Sequence, residues 1–502
     1  MAKPRTSAAG APSAFRSRIR AGVGWLILAL LLIVAVVLIR TWLVKAPPSR
    51  PIALAPRVSV DVASAAKHLG EAIRFQTVTH QDSAQDDPQA WEAQREWIQR
   101  TYPHFAAVAE RRVYPDGLLI YRWSGSDSRL PPIVLMAHQD VVPVDPATRS
   151  RWTAPPFGGL IRDGAVWGRG AIDNKGALVA ILEAMDGLAK GSFQPRRTIM
   201  LVSGAHEEGD GGLLPAVIRD LAGKGLRAAF VLDEGPWIFE DAQGPGRPAA
   251  MIGVAEKGWA MLRIDARSRG GHSSMPSRVT SIETLSEAIL RIVRNPAPIR
   301  IEGPGAETLR ALAPTASFTT RAALANLWLF GPLVRDRLAA SPEMAAQFHT
   351  TIAPTMLTGS PKENVLPQNA HAEINFRMGP GDTSANVMKR ARAAVGDLPV
   401  ELSFSGYVNE ATEVASRDSE GYRAIAGLVQ DMEGVPAAPA LMVAGTDSRY
   451  LSPLTPNIYR FGFMRMKIAA IPMLHGVDEH ISLANLKRMI EFQTRLIVTT
   501  TR

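Results

Sequence analysis

Five short stretches of this chain each end an apolar run with His, Asp or Glu. They are IVLMAHQD (133–140), WGRGAIDNKG (167–176), IMLVSGAHEEGD (199–210), AAFVLDEG (228–235) and PMLHGVDEH (472–480). Carboxylates and imidazoles are costly to leave beside a core unless something pairs with them. A chain with five such runs must gather the ends of its buried segments and neutralise them together. The usual partner is a divalent cation. Nitrogen and oxygen donors without sulfur suit zinc, with cobalt or manganese as substitutes. Five runs supply ligands for two ions, which points to hydrolysis.

At 502 residues the chain is too long for one compact core, so two folded domains are expected. It has no cysteine, which excludes disulfides and thiolate metal sites. The formal charge of +9 is concentrated at the N-terminus, where residues 1–50 hold eight basic side chains and no acid. Removing those eight leaves +1 for the rest of the chain, so no nucleic-acid footprint is expected.

Ala21 to Ile39 is uncharged and dense in Leu, Ile and Val. Its 19 residues come close to the roughly 20 that span a bilayer as a helix. Trp25 and Trp42 lie near its ends, where interfacial aromatics belong. The basic residues before it predict a cytoplasmic N-terminus and an outward-facing body. A cleaved signal peptide would have a shorter apolar run and a small-residue cleavage site, so an uncleaved single-pass anchor is the preferred reading. The segments expected are a basic tail over 1–20, an anchor over 21–43 and a Pro-rich linker over 44–57.

Beyond the linker, strand-like and helical patterns alternate. Ile133–Ala137 and Thr198–Val202 read as buried strands, with Leu178, Ile181, Leu182, Met185 and Leu188 at helical spacing between them. The expected class is α/β, with a mainly parallel sheet covered on both faces. After Val254 the pattern changes. Trp259–Ala266 and His371–Met378 alternate polar and apolar residues, as half-exposed antiparallel strands do. From about Ala411 the first pattern returns. This predicts catalytic parts over 58–256 and 411–502, with an inserted α+β lid over 257–410.

Each motif alone has an ordinary explanation. His138-x-Asp140 could be a capped strand end, Asp173 a helix N-cap and Glu207-Glu208 an acidic pair opposing a helix dipole. In the chemical reading, Asp173 bridges two metals. One carboxylate of the Glu207-Glu208 pair binds metal while the other serves as general base. Of Asp233 and Glu234 only one should reach a metal, since successive strand residues face opposite ways, and the sequence does not say which. A lone His475 gains weight only from the company it would keep.

Taken in order, His138-x-Asp140, Asp173-Asn174-Lys175-Gly176, Glu207-Glu208, Asp233-Glu234-Gly235, Gly271-His272-Ser273-Ser274 and His475-Gly476 resemble the co-catalytic zinc exopeptidases of the aminoacylase and carboxypeptidase family. Trp328-Leu-Phe-Gly-Pro-Leu, Asn364-Val-Leu-Pro and Gly445-Thr-Asp-Ser-Arg449 resemble its carboxypeptidase S and N-fatty-acyl-amino-acid hydrolase branch. The likeness runs from about Val58 to the C-terminus. It implies a phosphorylase/hydrolase-like zinc-peptidase domain, a dimerisation-type lid and two zinc ions per subunit.

The resemblance also implies roles. Asp173 would bridge the ions. His138 with Asp233 or Glu234 would complete one site, and Glu208 with His475 the other. Glu207 would be the general base, Asp140 would orient His138 and His272 would stabilise an oxyanion. Asn364, Arg377 and Gly445 would bind substrate, the first two holding its free carboxylate. Asn174 departs from the family pattern, where many relatives have a second Asp, so the unusual peptide geometry found there in relatives is not guaranteed.

The expected partners are a small-molecule or peptide substrate with a free carboxylate, the membrane, and a second copy through the lid. A non-catalytic membrane-tethered binding protein is the rival reading, and retention of Glu207 argues against it. A binuclear hydrolase on a β/α barrel is disfavoured by the inserted antiparallel segment. Between Ile299 and Thr358, residues Leu324, Leu327, Trp328, Leu329 and Phe330 could line an acyl channel or form ordinary core helices.

Overall fold

A computed structural model describes residues 13–45 and 51–502, with side chains from residue 22 onward. Most of the expected basic tail, and Pro47 and Pro48 of the expected linker, lie outside the described residues.

Four short strands form the centre of the molecule: Ile199–Ser203, Ile133–Met136, Phe230–Asp233 and Ile458–Arg460, adjacent in that order and all parallel. The first three are buried along their whole length and read as continuous apolar runs, as a sheet covered on both faces requires. On one face lie the helices Lys175–Lys190, Leu483–Thr501 and Val62–Arg74. Leu178, Ile181, Leu182 and Met185 put the apolar stripe of the first of these into the core. Each such burial contributes about 1.5–3 kcal/mol relative to exposure. The helix Leu214–Gly223 and the segment around Leu451 and Leu454 close the other face.

The sheet is mixed, which corrects the expectation of a mainly parallel one. It has ten strands, and antiparallel neighbours flank the parallel centre. Ala109–Val113 and Leu119–Trp123 form a hairpin on one side, and Ala249–Glu256 runs against Ile458–Arg460 on the other. The hairpin escaped notice because Ala109–Val113 is an edge strand with a mostly exposed, charged pattern.

A second sheet has four antiparallel strands in the order Thr351–Thr358, Asn369–Met378, Gly258–Arg267, Val400–Asn409. It has its own core. Ala372, Ile374, Phe376 and Met378 are buried under the helices Ser281–Val293 and Ser384–Val395. The alternating residues His371, Glu373, Asn375 and Arg377 stay half-exposed, as their period-two pattern predicts.

At the junction of the two sheets sits Glu256, fully buried at the end of its strand. It accepts from Arg460 Nε at 3.0 Å and pairs with Arg449 Nη2 at 2.5 Å. Residues 51–57 of the expected linker carry no helix or strand, and Ala55 among them is bonded to the C-terminal helix. Ala55 N donates to Thr499 Oγ1 and Arg495 Nε donates to Ala55 O.

Arg460 is as buried as Glu256, so removing the carboxylate strands a guanidinium without a countercharge. Glu256→Ala should destabilise the fold by about 3–5 kcal/mol. The measurement is denaturant unfolding, and a loss inside the range of an ordinary surface substitution would refute the assignment.

Candidate metal centre

Parallel strands deliver their side chains at their carboxyl ends, and three of the central strands do so here. Ile133–Met136 leads to His138, Ile199–Ser203 to Glu207 and Glu208, and Phe230–Asp233 to Glu234. Asp173 comes from the loop before helix Lys175–Lys190, and His475 from a loop before the last helix.

Asp173 stands between two imidazoles. Its Oδ1 is 2.9 Å from His138 Nε2 and its Oδ2 is 3.2 Å from His475 Nε2. Each imidazole has one further carboxylate. Glu234 Oε1 lies 3.6 Å from His138 Nε2, and Glu208 Oε1 lies 3.2 Å from His475 Nε2. The donor atoms of His138, Asp173 and Glu234 all lie within 4.8 Å of one another, and so do those of Asp173, Glu208 and His475. A third such group, of His138, Glu207 and Glu208, puts Glu207 beside both.

Asp140 organises these residues from behind. His138 Nδ1 lies 3.0 Å from the Asp140 carbonyl oxygen and 3.3 Å from its Oδ1. The Asp140 carboxylate also accepts the backbone N–H groups of Glu207 and Glu208 and the hydroxyl of Thr79. One buried carboxylate thus aims a histidine and fixes the turn that carries two glutamates.

Of the neighbouring pair, Glu234 enters the cluster and Asp233 turns away. Asp233 Oδ2 accepts from Ser448 N at 3.0 Å, while Glu234 Oε2 accepts from Asn174 Nδ2 at 2.9 Å. The peptide bond between Asp173 and Asn174 is cis.

The electrostatics are those of crowded acids. Burial, and then the Asp173 charge, push Glu234 up to about 8. Burial and Glu234 raise Glu207 well above the usual carboxyl range. Asp173 and Glu208 raise His475 to about 10. For His138 burial opposes the charge, but Glu234, Asp140 and Asp173 outweigh it and the pKa rises. Protons thus carry the positive charge these acids require, and a cation binding here would take the protons' place. Glu208 Oε1 is buried and receives no well-formed hydrogen bond. Three carboxylates, two imidazoles and no sulfur fit zinc.

The remaining predicted residues fall into two groups. His272 is exposed on the inserted segment, with Nδ1 2.8 Å from Ser274 Oγ. The short strand Gly271–His272 pairs with Val365–Leu366, and Ser273 N donates to Asn364 O, so His272 and Asn364 share one arm. Arg377 and Gly445 belong to the junction. Burial and the nearby Arg449 lower the Arg377 pKa, and a Cβ on Gly445 would contact Glu256 and Arg449. Glu373 pairs with Arg263, while Arg377 Nε meets Asn375 Oδ1 at 3.3 Å.

Sequence reasoning missed three supports. Fully buried Glu479 accepts the N–H groups of Gly170, Ile172 and Asp173 and pairs with Arg169. Lys175 Nζ donates to the carbonyls of Ala72 and Phe75, and burial lowers its pKa to about 7. Asp447 is buried against Gly204, where a Cβ would collide with its carboxyl. Glu479 and Asp447 lie in quoted motifs, but nothing local distinguishes them from solvated acids.

The model of the peptidase family M20/M25/M40 matches residues 134–499. A probable carboxypeptidase S-like protein of Dictyostelium discoideum is 33% identical over 446 residues, covering 87% of this chain and 85% of that protein. The human N-fatty-acyl-amino acid synthase/hydrolase is 33% identical over 437 residues, covering 86% of each. Among solved structures, an M20 family metallo-carboxypeptidase from Sulfolobus solfataricus aligns with a TM-score of 0.62 at 18% identity, over 88% of this chain and 99% of that one.

The geometry separates Asp233 from Glu234. Glu234→Ala should lose the ion held with His138 and Asp173, whereas Asp233→Asn should retain full zinc content. Metal analysis of both purified proteins decides it, and the reverse result would reassign the ligand.

Proposed function

The chain belongs to the peptidase family M20/M25/M40 and is a hydrolase of the carboxypeptidase or acylase type, and from that premise we propose a membrane-anchored, two-zinc enzyme. It cleaves an amide bond next to a free carboxylate, in a peptide or an N-acyl amino acid. The observation that carries this is Asp173, with one oxygen on each of two imidazoles that each have a carboxylate of their own.

His138, Asp173 and Glu234 would hold one ion, and Asp173, Glu208 and His475 the other. Bound there, the ions supply Lewis acidity, which polarises an amide carbonyl and makes water more acidic. Glu207 takes the proton of the attacking water and returns it to the departing amine. It lies beside His138 and Glu208, one ligand of each proposed ion, where a general base is needed. Arg377, half-buried with no acidic partner at hydrogen-bond distance among the described residues, is free to clamp a carboxylate, with Gly445 leaving room beside Arg449. His272 and Asn364, together on one exposed arm, suit an oxyanion donor and a substrate contact brought to this site or to that of a second copy. The segment 257–410 is thus the lid, and a homodimer through it is part of this reading.

The helix Ser13–Leu43 contains Gly22–Leu43, 22 residues that include an 18-residue window of mean hydropathy 3.1, long and apolar enough to cross a membrane. With the basic residues ahead of it, this supports a single-pass anchor with the catalytic body outside the cytoplasm.

Two substitutions test the reading. Glu207→Gln should keep fold and zinc content yet lose about 100- to 10,000-fold in turnover, because only proton transfer is removed. Near-wild-type turnover would reject Glu207 as the base. Arg377→Lys replaces a bidentate fork with a point charge. Its loss should fall on substrates with a free carboxylate and largely spare their amidated analogues, and equal loss on both would mean structural damage.

A further inference from the structure

The helices Phe318–Ala325 and Leu327–Ala339 do not behave as core helices. The first has no buried residue and the second has only Leu338. Phe318, Trp328, Leu329 and Leu333 are 59%, 55%, 41% and 64% exposed. Leu329 and Leu333 are four residues apart and share a helix face. A soluble surface helix turns such a face inward, and a contiguous apolar patch left outside marks a binding surface.

What this helix pair touches says what covers it. Arg40 Nε donates to Ala325 O at 3.1 Å. The fully buried Asn326 donates from Nδ2 to Val37 O at 3.3 Å and lies 3.4 Å from Thr41 Oγ1. Its Oδ1 accepts from Trp328 Nε1 at 3.3 Å. These contacts fall in the last two turns of the apolar helix, within about 9 Å of Leu43 at 1.5 Å per residue. In a spanning helix that is the depth of the boundary between acyl chains and headgroups. Trp42, 83% exposed, marks the same level. Trp328 is bonded to Asn326, which contacts the anchor helix at Val37 and Thr41, and tryptophan favours this boundary. Arg335 and Arg337 are exposed on the same helix pair, where they can meet lipid phosphates.

We propose that the helix pair 318–339 is a membrane-contact element. Its Trp328, Leu329 and Leu333 face lies in the outer interface of the bilayer that the N-terminal helix spans, and lipid is its occupant. The inference rests on the reading of Gly22–Leu43 as a span. It assigns the motif around Trp328 neither to a core nor to a sealed acyl channel. It also gives the body a second point of attachment, so that the lid is held at a fixed height over the membrane from which an acylated substrate would come.

The absence of cysteine makes the test direct. Single cysteines at Leu333, Leu30 and Tyr407 of the full chain carry an environment-sensitive fluorophore, in phosphatidylcholine vesicles without nitroxide lipid, with shallow nitroxide lipid or with nitroxide at the acyl-chain ends. Leu30 reports the span, and Tyr407, 69% exposed on the second sheet, is the distant control. Leu333 should be quenched most by the shallow nitroxide and Leu30 by the deep one, while Tyr407 is unaffected by either. If Leu30 is quenched but Leu333 is not, the contact element is refuted and the anchor stands. If Leu30 is not quenched, the anchor reading fails and this inference fails with it. A blue-shifted Leu333 label that ignores both nitroxides would mean a second copy covers the face, which also overturns the proposal.

Discussion

Carboxylates that share a buried space repel one another, and Asp173, Glu207, Glu208 and Glu234 share one. Much of the surrounding structure answers that repulsion. Neutral donors take up the spare oxygens: the Asn174 amide on Glu234, the hydroxyl of Thr79 and two backbone N–H groups on Asp140, and three more on Glu479. What these donors leave unmet falls to protons, as the raised pKa values of Glu207, Glu234 and His475 show. A centre built this way is costly when empty of cations and stabilised when filled. Metal affinity and folding stability are then linked quantities.

The same economy of charge governs the junction of the two sheets. Glu256 neutralises Arg460 and Arg449 where the second sheet leaves the first. Arg377 and Lys257 are close enough for their mutual repulsion to register, and burial with Arg377 lowers Lys257 to about 8. Two buried acids, Glu256 and Asp233, among four cations leave the region electropositive. That is the field a substrate carboxylate would seek, and it comes from residues on both sheets.

Much of the site was legible because its chemistry is loud. An acid or imidazole closing an apolar run is improbable unless it is used, and five such runs in order marked His138, Asp173, the pairs Glu207-Glu208 and Asp233-Glu234, and His475 as candidates, of which the fold gathers all but Asp233. The choice of Glu234 over Asp233 was not legible. Alternation says that neighbours face opposite ways, but not which face is inward, and the answer lay in a hydrogen bond from Ser448, 215 residues away. Glu256, Glu479 and Asp447 stayed hidden for the same reason, since their partners are distant in sequence. The alternating pattern found both sheets, yet it could not show the direction of each strand. The edge hairpin at 109–123 therefore made the main sheet mixed where a mainly parallel one was expected. The helices at 318–339 were left between two readings because an apolar stripe has the same period whether protein or lipid covers it.

The contacts of Glu479 have a consequence for biosynthesis. It holds the loop that presents Asp173, yet follows Ile172 by 307 residues. At a synthesis rate of roughly 5–20 residues per second, that loop would wait about 15–60 s for its partner to be made. The last helix, which packs on Lys175–Lys190, comes later still and extends to Thr501. The loop is therefore held only once Glu479 and this helix have both been made and have folded back onto it. A chain lacking residues 479–502 would keep every proposed ligand and lose Glu479 and the last helix, the two supports of the Asp173 loop and the helix after it.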